Sequence, residues 1–108
     1  MRILFDQGTP VPIRRFLQSH QIRTSREQAW SRLANGDLLN AAEDAGFDVL
    51  LTTDQNIRYQ QNLVGRKIAI VVLSKARWRL IKPVVAQIVT AVDAAQPGTL
   101  TLVEIPAR

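Results

Sequence analysis

Three apolar runs constrain the fold more than any other feature: Ile3-Leu4-Phe5, Val49-Leu50-Leu51 and Ile68 through Leu73. A strand with one wet face alternates apolar and polar residues. These runs do not alternate, so each needs cover on both faces, as the central strands of a parallel sheet have. Strands are expected over 2–5, 21–24, 47–53, 67–73 and 99–105, the last as an edge strand. Helical patterns lie between them. Thr9, Pro10 and Pro12 open a first helix, since a first turn tolerates proline, and it buries Ile13, Phe16 and Leu17. Gly36-Asp37 opens a second with Leu38, Leu39, Ala42 and Ala45 inward, and Gly46 stops it. Asp54 caps a short helix to about Asn62. Pro83 lies in the first turn of the last helix, where Ile81, Val84, Val85, Ile88, Val89 and Val92 repeat at helical spacing. The alternation β-α-β-α-β-α-β-α-β predicts an α/β fold: a largely parallel sheet of about five strands, helices on both faces and right-handed crossovers. The length of 108 residues fits one domain, 1–108.

Composition narrows the chemistry. With no cysteine, disulfides and thiolate metal sites are excluded. With one histidine, His20, a multi-histidine zinc site is excluded too. A bound metal would be held by oxygen, which favours Mg²⁺ or Mn²⁺. His20 ends the first helix, where a cation suits the dipole. The opening apolar run is too short for a signal peptide, and no stretch reaches membrane-spanning length. A cytoplasmic location with no membrane partner is expected.

The net charge is +5. A basic balance suits an anionic partner, nucleic acid first. Between Leu33 and Ile57 there is no Lys or Arg, but there are Asp37, Glu43, Asp44, Asp48 and Asp54. Arginines and lysines lie on either side. An acidic centre in a basic surround is what a metal site acting on a polyanion requires; an unevenly charged surface produces the same pattern.

Asp6 and Asp54 each stand where an apolar run stops. In parallel strands both emerge at the carboxyl edge of the sheet, where open α/β folds build their sites. Each also has a local use: Asp6 in an Asx turn over Gly8, Asp54 as an N-cap, and Asp37 as a first-turn acid. Glu43, Asp44 and Asp48 read as a solvated face. Ser74 follows the fourth strand at the favourable edge. Arg77-Trp78-Arg79 is a basic–aromatic cluster suited to single-stranded RNA, although Trp78 also suits packing on the last helix. Trp30 suits the core or a partner contact.

The segments 1–10 (MRILFDQGTP), 35–42 (NGDLLNAA) and 47–57 (FDVLLTTDQNI), continuing through 59–63 and 68–73, resemble the small PIN-like proteins of the DUF5615 (Mut7-C-like) type. The resemblance implies a PIN-type sheet and a Mg²⁺- or Mn²⁺-dependent ribonuclease site, often in a toxin paired with a small antitoxin; small PIN-like proteins commonly associate, which makes a surface for a partner or a homodimer an expectation too. At the matching positions Asp6, Asp37 and Asp54 would be both the catalytic acids and the metal ligands. Asn56, Arg58, Ser74, Arg77 and Arg79 would contact the RNA substrate. Where the family usually reads Asp-Glu-Asn after its first strand, this chain reads Asp6-Gln7-Gly8.

Two further readings follow. The loss of the Glu-Asn pair suits a PIN-like RNA- or protein-binding module with weak or no catalysis. Acids after two strands and a hydroxyl after another also suit a receiver-like phosphoacceptor domain. That fold needs a lysine ending a later strand, and Lys82 is only eight residues after Ser74.

Overall fold

The computed structural model describes residues 1–57 and 62–107. Five parallel strands form one sheet in the order β2-β1-β3-β4-β5. They are β1 (Arg2–Phe5), β2 (Gln21–Thr24), β3 (Val49–Thr52), β4 (Ala69–Leu73) and β5 (Leu100–Val103). The three apolar runs are the three inner strands. β3 and β4 are buried at every position, which is why their sequences cannot alternate.

Strand parity divides the core in two. Ile3, Phe5, Val49, Leu51, Ala69, Val71 and Leu73 point to one face. There they meet Ile13 and Leu17 of the connection after β1, and Ile81, Ile88 and Val92 of the connection after β4. Leu4, Leu50, Ile70 and Val72 point to the other face and meet Leu38, Leu39 and Ala42 of α1 (Asn35–Asp44), with Phe47 and Ile57. Trp30 closes that second core by an edge contact with Phe47, ring centroids 6.0 Å apart.

The first connection is not an α-helix. It is a six-residue 3₁₀ helix, Val11–Phe16, entered from Pro10. Two prolines within three residues remove N–H donors from a segment this short, and 3₁₀ geometry suits such brief turns. Ile13 and Leu17 are buried as the spacing implies, but Phe16 is 42 % exposed. Its ring stands 6.0 Å from that of Trp78, which packs on the first core from α2 (Trp78–Ile81). A 3₁₀ turn (Lys82–Val84) follows, then α3 (Val85–Asp93). The short helix expected from Asp54 to Asn62 begins as a turn; residues 58–61 lie outside the described residues.

One crossover differs in hand from the other three, so the connections are not all right-handed as expected. The connections β1–β2, β2–β3 and β3–β4 share one hand, since reversing direction along the sheet is matched by a change of face. The β4–β5 connection continues in the same direction as β3–β4 but lies on the opposite face, beside the 3₁₀ helix. It therefore has the opposite hand to the other three, against the usual preference. Burial supplies the reason. On the second face α3 would leave Val49, Leu51 and Val71 covered only by the short 3₁₀ helix.

The turn after β2 is built rigidly. Thr24 and Glu27 exchange side-chain-to-backbone hydrogen bonds, 2.9 Å from Thr24 N–H to Glu27 Oε1 and 3.0 Å from Glu27 N–H to Thr24 Oγ1, a capping box. At the other end Trp30 N–H donates to Ser25 O and Ala29 N–H to Arg26 O, the Schellman pattern. Ala29 takes the left-handed position at φ 62°, where glycine is at home. Ala29→Gly is expected to stabilise the fold by about 0.5–1 kcal/mol, the relief of left-handed strain less glycine's entropy. Urea denaturation would show a higher midpoint at unchanged slope.

Candidate functional site

The register of the sheet fixes the site. Ile3 pairs with Val49, Leu4 with Leu50 and Phe5 with Leu51. Asp6 N–H extends that ladder to Leu51 O at 2.9 Å. Continued one step, Asp6 stands level with Thr52, and Asp54 lies two residues beyond. Thr52 consequently joins the two acids. Its buried hydroxyl donates to Asp6 Oδ2 at 2.8 Å and accepts from Asp54 N–H at 3.0 Å.

Each carboxylate also has a local partner. Asp6 Oδ1 accepts from Gln7 N–H at 2.8 Å. Asp54 Oδ1 accepts from Asn56 N–H at 3.0 Å, an Asx turn that starts the segment after β3. Burial pushes the Asp6 carboxyl above its ordinary value. The hydrogen bonds from Thr52 and Gln7 work against that rise, and the charge of Asp54 adds to it. Thr52→Val is expected to raise the Asp6 pKa further and to cost about 1–2 kcal/mol, because it leaves Asp6 Oδ2 and Asp54 N–H without their shared partner. NMR titration of the Asp6 side-chain carboxyl and urea melts would show both effects.

A cleft of 240 Å³ opens beside Asp6. Asp6, Gln7 and Thr9 form one wall; Thr24, Arg26 and Ser31 form the other. Gly8 turns the first wall with φ +91°, a conformation open to glycine and, among other residues, mainly to asparagine and aspartate. Thr9 fixes that wall to the sheet through Oγ1, which donates to Leu51 O at 3.0 Å. A larger hollow of 540 Å³ lies outside the 3₁₀ helix, against Val11, Pro12, Arg14, Arg15 and Gln18, and contains no carboxylate.

Of the expected site residues that the structure describes, Asp6 alone lines this cleft; Asp54 stands beside Asp6 through Thr52, and the others lie apart from it. Asp37 is an exposed first-turn acid of α1. It does not complete a cluster with Asp6 and Asp54: among the described residues no three His, Asp or Glu side chains come together as a metal-holding group. Ser74 is turned to structure. Its hydroxyl accepts from Ile105 N–H at 2.7 Å, which ties the chain beyond β5 to the end of β4. Gln55 Nε2 donates to Ser74 O at 3.0 Å and joins the loops after β3 and β4. Asn56 is exposed, as are Arg77 and Arg79 on either side of half-buried Trp78. Arg58 lies outside the described residues. The receiver-like reading loses its lysine: Lys82 stands in a 3₁₀ turn, and β5 is followed by Glu104.

Two acids read as a solvated face are in fact ties at the opposite edge of the sheet. Glu43 accepts from the Arg66 guanidinium, from Lys67 N–H at 2.6 Å and from Ile68 N–H at 3.3 Å. Burial alone would raise its pKa, but these bonds together outweigh burial and hold it low. Asp48 Oδ2 accepts from Arg2 N–H at 2.9 Å, and the Arg2 guanidinium lies 4.4 Å over the Phe47 ring. His20 bridges Asp93, 2.8 Å from Nε2 to Oδ1, and the Met1 amino group, 3.2 Å from Nδ1.

A carboxylate pair with few fixed ligands is compatible with Mg²⁺ or Mn²⁺, which commonly take one or two carboxylates and leave the rest to water and substrate phosphate. Asp6 and Asp54 supply such a pair, and each oxygen named above retains a second lone pair. No helix among the described residues is long and apolar enough to cross a membrane. Comparison of the chain with protein-family models, with curated proteins and with solved structures finds no match.

Proposed function

We propose that the chain is a metal-dependent ribonuclease working at the Asp6–Asp54 edge of the sheet. One observation carries this reading. Two aspartates at the carboxyl ends of adjacent parallel strands are joined through one buried hydroxyl, and the first of them, Asp6, lines a cleft. Asp6 and Asp54 would hold Mg²⁺ or Mn²⁺, which when bound supplies an acidified water and neutralises charge on the phosphate. Thr52 keeps Asp6 aimed at the cleft. Asp6 resists ionisation through burial and the nearby Asp54 charge, so a cation there is electrostatically favoured. The charge of +5 suits a polyanionic substrate. Exposed Arg77 and Arg79 on the same side of the fold as the loop after β4 supply further phosphate contacts.

The absence of a third clustered acid among the described residues favours a second reading, in which the chain binds RNA or a protein partner and cleaves weakly or not at all. A small antitoxin and a second copy of the chain remain partners implied by the PIN-like resemblance alone. Cleavage of mixed RNA in Mg²⁺ and in Mn²⁺, by wild type and Asp6→Asn purified side by side, separates the readings. Metal-dependent cutting by the wild type alone supports the nuclease. RNA binding without cutting supports the module. Equal cutting by both proteins refutes the role of Asp6.

A further inference from the structure

We infer that Arg26 is the phosphate anchor of the cleft, holding a nucleic-acid phosphate beside the one at Asp6; the inference rests on the RNA-directed reading above. Arg26 is the basic residue among the described residues that line the cleft, which Asp6 also lines. It is exposed, and among the described residues it has no ion-pair partner. Two neighbouring arginines are engaged, and neither lines the cleft. Arg14 is engaged with Glu27 and Ile22 O, and Arg23 donates to Gln28.

The backbone carrying Arg26 is fixed before any ligand arrives. The capping box of Thr24 and Glu27 holds one end of its turn, and the Schellman bonds around left-handed Ala29 hold the other. Arg26 N–H and C=O therefore sit in a rigid frame while the guanidinium remains free. That is how a planar donor fork is presented to phosphate. The opposite wall is equally fixed by Thr9 and the β1–β3 ladder. A carboxylate on one wall and a guanidinium on the other, the latter with Thr24 and Ser31 beside it, suit a strand whose successive phosphates meet first one wall and then the other.

The test uses the Asp6→Asn protein, so that RNA is bound without being cut. Anisotropy of a labelled single-stranded RNA is followed across a salt series for this protein, for Arg26→Ala and Arg26→Lys added to it, and for Lys67→Ala added to it. Lys67 precedes β4 at the opposite edge of the sheet, so its loss matches the charge change without touching the cleft. Arg26→Ala is expected to weaken binding by about tenfold and to reduce the salt slope by about 0.7, the loss of one phosphate contact on a single strand. Arg26→Lys should keep the slope and lose part of the affinity, since the ammonium cannot bond in bidentate fashion. Lys67→Ala should change neither. If Arg26→Ala falls no further than Lys67→Ala while the parent binds RNA, Arg26 is not the anchor and the nuclease reading stands. If neither wild type nor parent binds RNA, the RNA-directed reading fails and the anchor fails with it.

Discussion

Asp6→Asn is expected to lower metal-dependent RNA cleavage by about 100-fold or more, the scale on which one preorganised electrostatic group acts, while making the fold more stable. The two effects have one cause. The carboxyl pKa is raised in the folded chain by burial, then by the neighbouring Asp54 charge. The folded state therefore binds more protons than the unfolded state in the window above the ordinary value of 3.8. Stability falls as pH rises through that window and stays reduced above it. Asparagine has no charge to desolvate, so the penalty disappears. Part of the gain is offset, because a carboxamide has one acceptor oxygen and can serve only one of the two donors, Thr52 Oγ1–H and Gln7 N–H, that the carboxylate takes. Thermal melts at several pH values would show the wild type losing stability relative to the variant across mildly acidic pH. A variant that lost both activity and stability would mark Asp6 as a structural acid.

Glu43→Ala carries the largest expected stability loss, about 3 kcal/mol, from removal of charge-assisted hydrogen bonds that satisfy two backbone donors and Arg66. Ile68 is fully buried, so its N–H cannot readily turn to water. The damage falls at the entry to β4, an inner strand. Against a typical total of 5–15 kcal/mol, such a loss is large. The pH dependence has the opposite sign to that of Asp6. Glu43 is held below its ordinary 4.5, so its stabilisation is full above that value and is lost as pH falls through the folded pKa. The variant should show a lower urea midpoint at neutral pH and a flatter acid limb. Glu43→Gln, which keeps one acceptor oxygen, should recover part of the loss.

The sheet was legible because its signal is simple: Ile3-Leu4-Phe5, Val49-Leu50-Leu51 and 68–73 are apolar on both parities, and only inner parallel strands use such runs. The aspartates at 6 and 54 were legible as strand-end acids for the same reason. Their relation was not. Asp6 and Asp54 differ by two residues in register, and that depends on a pairing offset which sequence alone does not reveal. With the offset known, Thr52 becomes the necessary bridge. Asp37 was placed correctly at a helix opening, but the helix dipole accounts for an acid there without a third ligand. Glu43 was misread because a charged residue near a helix end resembles a solvated one until its partners at 66–68, far along the chain, are located. The structural role of Ser74 was hidden for a similar reason: its acceptor role for Ile105 depends on where the chain goes after β5. Arg26 and its frame carried a readable trace, Thr24-Ser25-Arg26-Glu27, the Thr-x-x-Glu signature of a capping box. The hand of the last crossover left no local trace, since it follows from which face still lacked cover.

That reversed crossover sets an order of events on the ribosome. Translation completes β4 at Leu73 twenty residues before Asp93 ends α3, about 1–4 s at roughly 5–20 residues per second. During that interval the side of the nascent sheet bearing Val49, Leu51 and Val71 is shielded by little more than the 3₁₀ segment. The emerging chain thus exposes a sticky half-finished surface until its final third arrives, and chaperone capture should peak over that stretch of synthesis.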